Sequence, residues 1–554
     1  MKYLFLNIFF FVCGILSAQN IDLKIQGIND SEKKTIDSIS FNKKHKTNES
    51  VLAEVKIVVE KLSKKGFIDL QNLGTKKTSD SSFYANLSLG QKINFIHIYI
   101  GRNLEAKKLK LFDSENDSIT IKYNEIENFL NNSISSLEKK GFALAKIKLT
   151  NIQRDKNNLT ADLSVILDKK RTLNGIVING YDKFPEGFKK QINRKYRKTT
   201  FNKENLKLVY DDFNKIRFVK QTKYPEILFT TDSTKVYAYI EKAKINSFDG
   251  ILGFANDEKR NLIFNGYVNL SLNNALNAGE KLDLNWKSDG KNQKTFNIAT
   301  EIPYIFKTPI GVKAQLNIFK QDSLFQNTKT SIDLGYYLKF NSRLYLGYQS
   351  TESNDIQNLN TNLISDSQNS FVTSTYEFKD YKNDDLLFPE KTNFEFKLGN
   401  GRRTTKIQND KQNFASLNIN HHFYLNKIFA INLKTQNYFL KSNNYISSEQ
   451  LRFGGINSVR GFNENSLQAN ALLSLISEFQ YVLSPNLYFH SVLDYAYFED
   501  KTTNKSNKLL GLGFGFGLLN KTGLLKFVYS NGSTNEQAIQ LSNSIVQISL
   551  TSNF

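Results

Sequence analysis

From about residue 247 to the end, the chain loses every trace of helical periodicity and alternates apolar and polar residues in short segments. Leu262-Ile-Phe-Asn-Gly-Tyr-Val-Asn-Leu-Ser-Leu272 places Leu262, Phe264, Val268, Leu270 and Leu272 on one face and Asn265, Asn269 and Ser271 on the other. Ile310–Ile318, Ile332–Phe340 and Asn393–Leu398 repeat the pattern. A period of two is the side-chain repeat of a β-strand, and apolar-out, polar-in segments are how a transmembrane barrel is written. A soluble sandwich would show the same alternation, so the choice between them rests on the rest of the chain.

Two ends of the sequence favour the barrel. Met1 to Ala18 has a charged start at Lys2, an apolar core from Leu4 to Leu16 and small residues Ser17-Ala18 before Gln19, the pattern of a cleaved secretory signal peptide. Cys13 lies inside that core and is the only cysteine, so the mature chain is expected to have no disulfide, thiolate metal site or thiol nucleophile. At the other end Ile545-Val-Gln-Ile-Ser-Leu-Thr-Ser-Asn-Phe554 puts Val546, Ile548, Leu550 and Phe554 on one face. With 43 Phe and 26 Tyr but few prolines, the composition suits a barrel whose aromatic girdles sit at the membrane interfaces. The 308 residues from 247 to 554, at roughly 10 per strand plus turns, accommodate 16 antiparallel strands. Ser350–Ser370 and Asp380–Asp385 are polar enough to read as loops. The first barrel strand is expected near Gly250-Ile-Leu-Gly253-Phe254, closing against the terminal strand, with the two glycines weakening the seam.

Ahead of the barrel segment, residues 21 to about 246 repeat. Glu60-Lys-Leu-Ser-Lys-Lys-Gly66-Phe67 returns 75 positions later as Ser135-Ser-Leu-Glu-Lys-Lys-Gly141-Phe142, and a degenerate copy ends at Phe218. Each copy opens as an amphipathic helix. In the first, Val51, Leu52, Val55, Val58, Val59 and Leu62 fall at spacings of three and four. Gly66 and Gly141, each after Lys-Lys, read as left-handed helix caps. Alternating strands follow at Phe83–Leu89, Leu159–Val165 and Lys235–Ile240, and further strands at Ile93–Ile100 and Gly175–Asn179 open the next units. The expected units are 21–92, 93–172 and 173–246.

Between two strand-like segments lies Leu451-Arg-Phe-Gly-Gly-Ile-Asn-Ser-Val-Arg-Gly-Phe-Asn-Glu-Asn-Ser-Leu467, too polar for a membrane strand. Gly454-Gly455 followed by Val459-Arg460-Gly461-Phe462 resembles the inward-folded loop of the BamA/TamA outer-membrane assembly superfamily. The repeats resemble POTRA domains, and three copies match the TamA-like branch. The resemblance implies an α+β periplasmic portion followed by a transmembrane barrel in the bacterial outer membrane, with Phe554 closing a sorting strand. It also implies that Arg460 reaches into the lumen and pairs with an aspartate on a later strand, here Asp494. Ala496 stands where the superfamily usually has glycine. By the same resemblance, the repeats dock clients or a periplasm-spanning partner by strand addition. Clients would be unfolded β-barrel or autotransporter-like chains. A two-partner secretion pore with one dedicated exoprotein, or a passive porin, are the rival readings.

Other chemistry is sparse. Net charge is +21, with lysines spread along the chain. In an exported protein that reads as a solvated basic surface or contact with anionic outer-membrane lipid, not nucleic acid. Gly511, Gly513, Gly515 and Gly517 recur at every second position, which fails the phosphate-loop spacing and reads as a strand with Leu510, Leu512, Phe514 and Phe516 facing lipid. The side-chain-free face would leave room for the loop carrying Arg460. His421 and His422 are adjacent on a strand and point apart, and no catalytic motif is present. No enzyme activity, cofactor or metal is expected.

Overall fold

The computed structural model describes residues 20–554 except 80, 101–116, 257–261, 290–292, 359–360, 362–363, 383–384, 407, 522 and 554. The side chains of 251–265 and 553 are also outside the description. The expected leader with Cys13, and Phe554, therefore lie outside the described residues. The chain divides into two compact units, Met1–Thr172 with Thr200–Glu204, and Leu173–Thr199 with Asn205–Phe554.

The first unit holds two four-stranded sheets. One is built from β1 (Ile21–Gly27), β2 (Lys44–His45), β3 (Gln71–Ser79) and β4 (Ser82–Ser88), in the order β2-β1-β4-β3. The other uses β5 (Phe95–Tyr99), β6 (Ser118–Lys122), β7 (Lys146–Asp155) and β8 (Asn158–Ile166), in the order β6-β5-β8-β7. In both, the opening strand lies parallel to the last one, β1 on β4 and β5 on β8, as a strand–helix–strand crossover requires. Helices α1 (Asp30–Asp37) and α2 (Asn48–Lys64) belong to the first sheet and α3 (Ile126–Lys139) to the second.

Helix α2 shows why the sequence folds this way. Thr47 and Ser50 cap its start reciprocally, and Val51, Val55, Val58 and Leu62 bury against Leu23, Ala85 and Leu87. Leu52, expected on that face, is instead more than half exposed. It sits at the edge of the apolar stripe, where the helix turns away from the sheet. Gly66 and Gly141 end α2 and α3 with φ of 110° and 99°. Their carbonyls accept the N–H of Ile93 and of Arg171, both at 2.8 Å, so each helix end holds the chain where it leaves the sheet.

The second unit begins with a three-stranded sheet, β10-β11-β9, from β9 (Gly175–Asn179), β10 (Val219–Phe229) and β11 (Thr234–Lys242), again with the opening strand parallel. Helices α4 (Glu186–Tyr196) and α5 (Lys203–Asn214) accompany it. Phe184, Phe188, Phe213 and Phe218 form an aromatic core there, with ring centroids 5.1–6.4 Å apart.

Sixteen strands of the described residues then close a barrel, each antiparallel to the next. They are β12 (Ser247–Asn256), β13 (Leu262–Asn273), β14 (Lys281–Ser288), β15 (Gln293–Ile302), β16 (Ile310–Gln321), β17 (Phe325–Lys339), β18 (Ser342–Asp355) and β19 (Ser367–Tyr381). Next come β20 (Glu390–Thr405), β21 (Asn409–Tyr424) and β22 (Phe429–Lys441). The hairpin β23 (Leu451–Phe453) and β24 (Leu467–Ala469) leaves the wall, and β25 (Ala471–Ser484), β26 (Leu487–Asp500), β27 (Lys505–Asn520), β28 (Gly523–Ser533) and β29 (Ile545–Asn553) complete it.

Alternation sets the two faces of the wall. On β17, Ile332, Leu334, Tyr336 and Leu338 point outward while Ser331, Asp333 and Tyr337 are buried inside. Many polar groups inside the barrel are paired, because an unpaired one is costly. Asn269, Asn285, Asn297 and Asn317 face one another across β13 to β16 and hydrogen-bond side chain to side chain. Arg343 bonds Glu301 at 2.6 Å and Glu377 at 3.1 Å, and Lys313 bonds Glu377 at 2.6 Å.

The loop expectation for Ser350–Ser370 is overturned at both ends. Ser350–Asp355 belong to β18 and Ser367–Ser370 to β19, with Ser350 opposite Ser370. Asp380 and Tyr381 likewise end β19. A strand needs only about 9–11 residues to cross the apolar layer. These strands run to 14 and 15 residues, so their ends are paired but polar.

Candidate functional site: a loop pinned inside the barrel

Residues 451–469 fold back as a hairpin whose tip, 454–466, lies against the inner wall. Gly454, Gly455 and Gly461 have φ of 104°, 100° and 87°, which L side chains rarely adopt. A Cβ on Gly461 would collide with the backbone of Asn531 and Gly532 on β28, and one on Gly511 with the Arg460 carbonyl. Main chain therefore packs on main chain at both places. Val459 is fully buried in a cluster with Phe453, Leu472, Ala496, Phe498 and Leu509, and Phe462 packs on its edge.

This packing aims Arg460 at the wall. Its side chain is 3% exposed and that of Asp494, on β26, is 0%. The guanidinium donates from Nε to Asp494 Oδ2 at 2.9 Å and from Nη2 to Oδ1 at 2.6 Å, a bidentate fork. The Arg460 backbone N–H donates to the same Oδ2 at 2.9 Å. Nη1 donates to Glu478 Oε1 at 2.5 Å and Nη2 to the Ser477 carbonyl at 3.2 Å. Ala496 is fully buried in the same apolar cluster as Val459.

Glu478 is a partner that sequence reasoning missed. It lies on the inward face of β25 with Ile476 and Gln480, so strand alternation beneath the loop could have flagged it. Gln480 Nε2 donates to its second oxygen at 2.9 Å, and His490 Nδ1 stands 3.8 Å away. Further along the tip, Ser458 Oγ donates to Gln436 Oε1 at 2.8 Å, Lys434 donates to the Asn457 carbonyl, and Lys287 pairs with Glu464 at 3.2 Å.

The glycine-rich strand β27 serves the loop only in part. Gly511 alone makes way for the loop, against the Arg460 carbonyl, while Gly515 and Gly517 make way for the side chains of His490 and Tyr488 on β26. Leu512 and Phe514 face outward.

A cavity of about 1450 Å³ remains in the lumen, bordered among others by Arg460, Glu464, Glu478, Asn285, Asn297 and Asn317. Among the described residues no group of three or more His, Cys, Asp or Glu is placed to hold a metal, and no helix is long and apolar enough to cross a membrane. The site's chemistry is a polar latch between loop and wall.

The barrel seam is its least paired junction. Among the described residues β12 meets β29 at Ser247–Asn553 and Phe248–Ser552, whereas β12 pairs β13 at ten positions and β28 pairs β29 at seven. On β29, Val546, Ile548 and Leu550 face outward. Gly250 and Gly253 take no part in the two seam pairs. They lie opposite Val268 and Asn265 on β13, where a Cβ on Gly250 would press on the Tyr267 carbonyl. Gly250 thus lies on the seam strand β12, at its close approach to β13.

The described residues thus combine a closed sixteen-stranded barrel, α/β sheets ahead of it and an arginine loop pinned in the lumen. Residues 392–518 match the family model described as haemolysin secretion/activation protein ShlB/FhaC/HecB. The fold is similar to that of CdiB from Escherichia coli, at 13% identity and a TM-score of 0.51 over 90% of this chain and 97% of that one. CdiB from Acinetobacter baumannii gives 14% and 0.50 over 83% and 90%. BamA from Haemophilus ducreyi lacking POTRA domains 1–3 gives 13% and 0.48 over 83% and 100%. No curated protein sequence matches. The likeness to the two CdiB structures is one of fold, a closed barrel preceded by α/β sheets.

Proposed function

We propose that the chain is an assembly factor of the TamA-like kind, which receives unfolded β-barrel or autotransporter-like clients on periplasmic POTRA repeats and passes them into the outer membrane at the β12–β29 seam. The observation that carries this reading is the seam itself, joined by two residue pairs beside neighbours joined by seven and ten. Opening it breaks few backbone hydrogen bonds, and each freed edge is a template for an incoming strand. Three α/β sheets ahead of the barrel suit the repeat count, with units at 21–92, 93–172 and 173–246. A periplasm-spanning partner would dock on the same repeats, and no nucleotide is used.

Secretion of a dedicated exoprotein through the lumen is the second reading, favoured by the ShlB/FhaC/HecB match. It requires the loop to leave, because the loop borders the remaining cavity. One disulfide separates the two. Phe248 and Ser552 are direct cross-strand partners, and antiparallel partners stand about 4.5–5.5 Å apart at Cα, within disulfide reach. The expected result for Phe248→Cys/Ser552→Cys is a folded, membrane-inserted barrel that loses client assembly when oxidised and regains it on reduction. Full assembly by a quantitatively locked barrel would reject the seam route, and continued export of one exoprotein would establish the lumen route.

A further inference from the structure

The barrel rim beside the third sheet carries an apolar and basic surface that neither the loop nor the seam uses. In the β15–β16 turn, Tyr304, Phe306 and Lys307 all have positive φ, at 51°, 51° and 59°. Non-glycine residues rarely adopt this conformation, and clusters of it mark places where the surroundings impose it. Contacts account for two of the three. Tyr304 is buried edge-on against Phe188 of α4, with ring centroids 4.6 Å apart. The Lys307 carbonyl accepts from Gln191 Nε2 at 2.7 Å. Phe306, between them, is turned out and 92% exposed.

The β13–β14 turn repeats the arrangement. Asn274 Nδ2 donates to the Tyr181 hydroxyl at 2.6 Å, and the place of a Gly279 side chain is taken by the Phe188 ring. Leu276 of that turn is 81% exposed. The two turns are two strands apart, so these apolar tips stand roughly 10 Å from each other along the rim. Above Phe306 the wall is already lipid-facing, with Ile302 and Ile310 pointing outward on β15 and β16.

Helix α4 supplies the charge. It buries Phe188, Ile192 and Tyr196 and exposes Lys190 and Arg194, which share one face at i, i+4. Neither has a carboxylate partner among the described residues, whereas Lys189 is paired with Glu186 at 3.2 Å. The Gln191–Lys307 bond holds this helix against the turn that carries Phe306.

We propose that Phe306, Leu276, Lys190 and Arg194 form a binding site for anionic phospholipid in the leaflet on the α/β side of the membrane. The apolar tips enter the interface as extensions of the lipid-facing wall, and the cations meet the phosphates there. The occupant is a bilayer because the apolar tips continue a lipid-facing wall and the adjoining cations match anionic head groups. The bound lipid ties α4, and through it the third sheet, to the membrane plane. This inference rests on the outer-membrane placement with the α/β repeats in the periplasm, but not on the seam route.

The test uses the full-length protein in nanodiscs of phosphatidylcholine mixed with phosphatidylglycerol, with co-purifying lipid counted by mass spectrometry after gentle detergent release. The wild-type protein should enrich phosphatidylglycerol at least fivefold, and Lys190→Gln/Arg194→Gln should abolish that enrichment. Lys190→Arg/Arg194→Lys keeps the charges and should keep it, which guards against a folding artefact. Phe306→Ser should reduce retention of both lipids, and Lys505→Gln/Lys508→Gln, at the other end of the barrel, should change nothing. Absence of enrichment in the wild type, or wild-type enrichment in Lys190→Gln/Arg194→Gln, overturns the proposal. The seam-locked disulfide protein should enrich the lipid normally. A failure of the seam experiment therefore leaves this one standing, and the reverse.

Discussion

Arg460→Ala should free the loop while leaving the wall intact. The substitution removes the two guanidinium bonds to Asp494 and those to Glu478 and Ser477, but not the backbone N–H bond to Asp494. Asp494, with no exposed side-chain surface, is left as a buried charge held by one N–H. Glu478 loses less, because it is 22% exposed on the cavity and keeps Gln480. Breaking a buried pair costs about 3–5 kcal/mol, and the exposure of Glu478 places this case near the lower end, at about 3 kcal/mol. At roughly 1.4 kcal/mol per tenfold, the docked-to-free ratio of the loop should fall by about two orders of magnitude. None of these bonds joins two wall strands, so barrel abundance should hold. Arg460→Lys should recover little, since an ammonium cannot make the fork. Hydrogen exchange across 454–466, measured for Arg460→Ala, Asp494→Ala and the double variant, gives the coupling between them. Additive effects would mean that the pair contributes nothing to docking, and the latch reading would fall.

Three further outcomes follow from the same geometry. Gly511→Val should loosen the loop as Arg460→Ala does, because its side chain must displace the Arg460 carbonyl, and protease sensitivity of 454–466 reports it. Gly66→Val should destabilise the first sheet and its junction by about 1 kcal/mol or more, through its positive φ and a collision with the Ile93 carbonyl. Faster exchange of the Ile93 amide checks this, and an unchanged rate refutes it. Asp212 is buried on α5. Burial opposes its charge, but hydrogen bonds from Lys195, Lys215 and Tyr196 outweigh that and hold its carboxyl below the usual range. A lowered folded pKa gives stability that is present above the unfolded value, near about 4, and is lost as pH falls through the folded one. Asp212→Asn should cost about 2 kcal/mol at neutral pH and flatten that acid limb in pH-dependent unfolding.

The sequence alone determined the architecture, because local patterns encode it. Alternation specifies which face of a strand is apolar; the pattern of the two ends and the resemblance of the arginine loop turned it into a barrel, and the length of the segment accommodated the sixteen strands observed among the described residues. The glycines after Lys-Lys marked helix ends, since glycine readily takes the left-handed conformation that both adopt there. Contacts between distant strands were decided by tertiary structure. Glu478 joins Arg460 only because β25 passes beneath the loop tip, which no local spacing records. Register decided that β13 approaches Gly250 closely and that the described residues of the seam form two pairs, since a glycine's own propensity does not say which neighbour approaches it. Polar runs at Ser350–Asp355 and Ser367–Ser370 read as loops because sequence polarity reports exposure to water, whereas strand pairing depends on a partner that continues beyond the membrane.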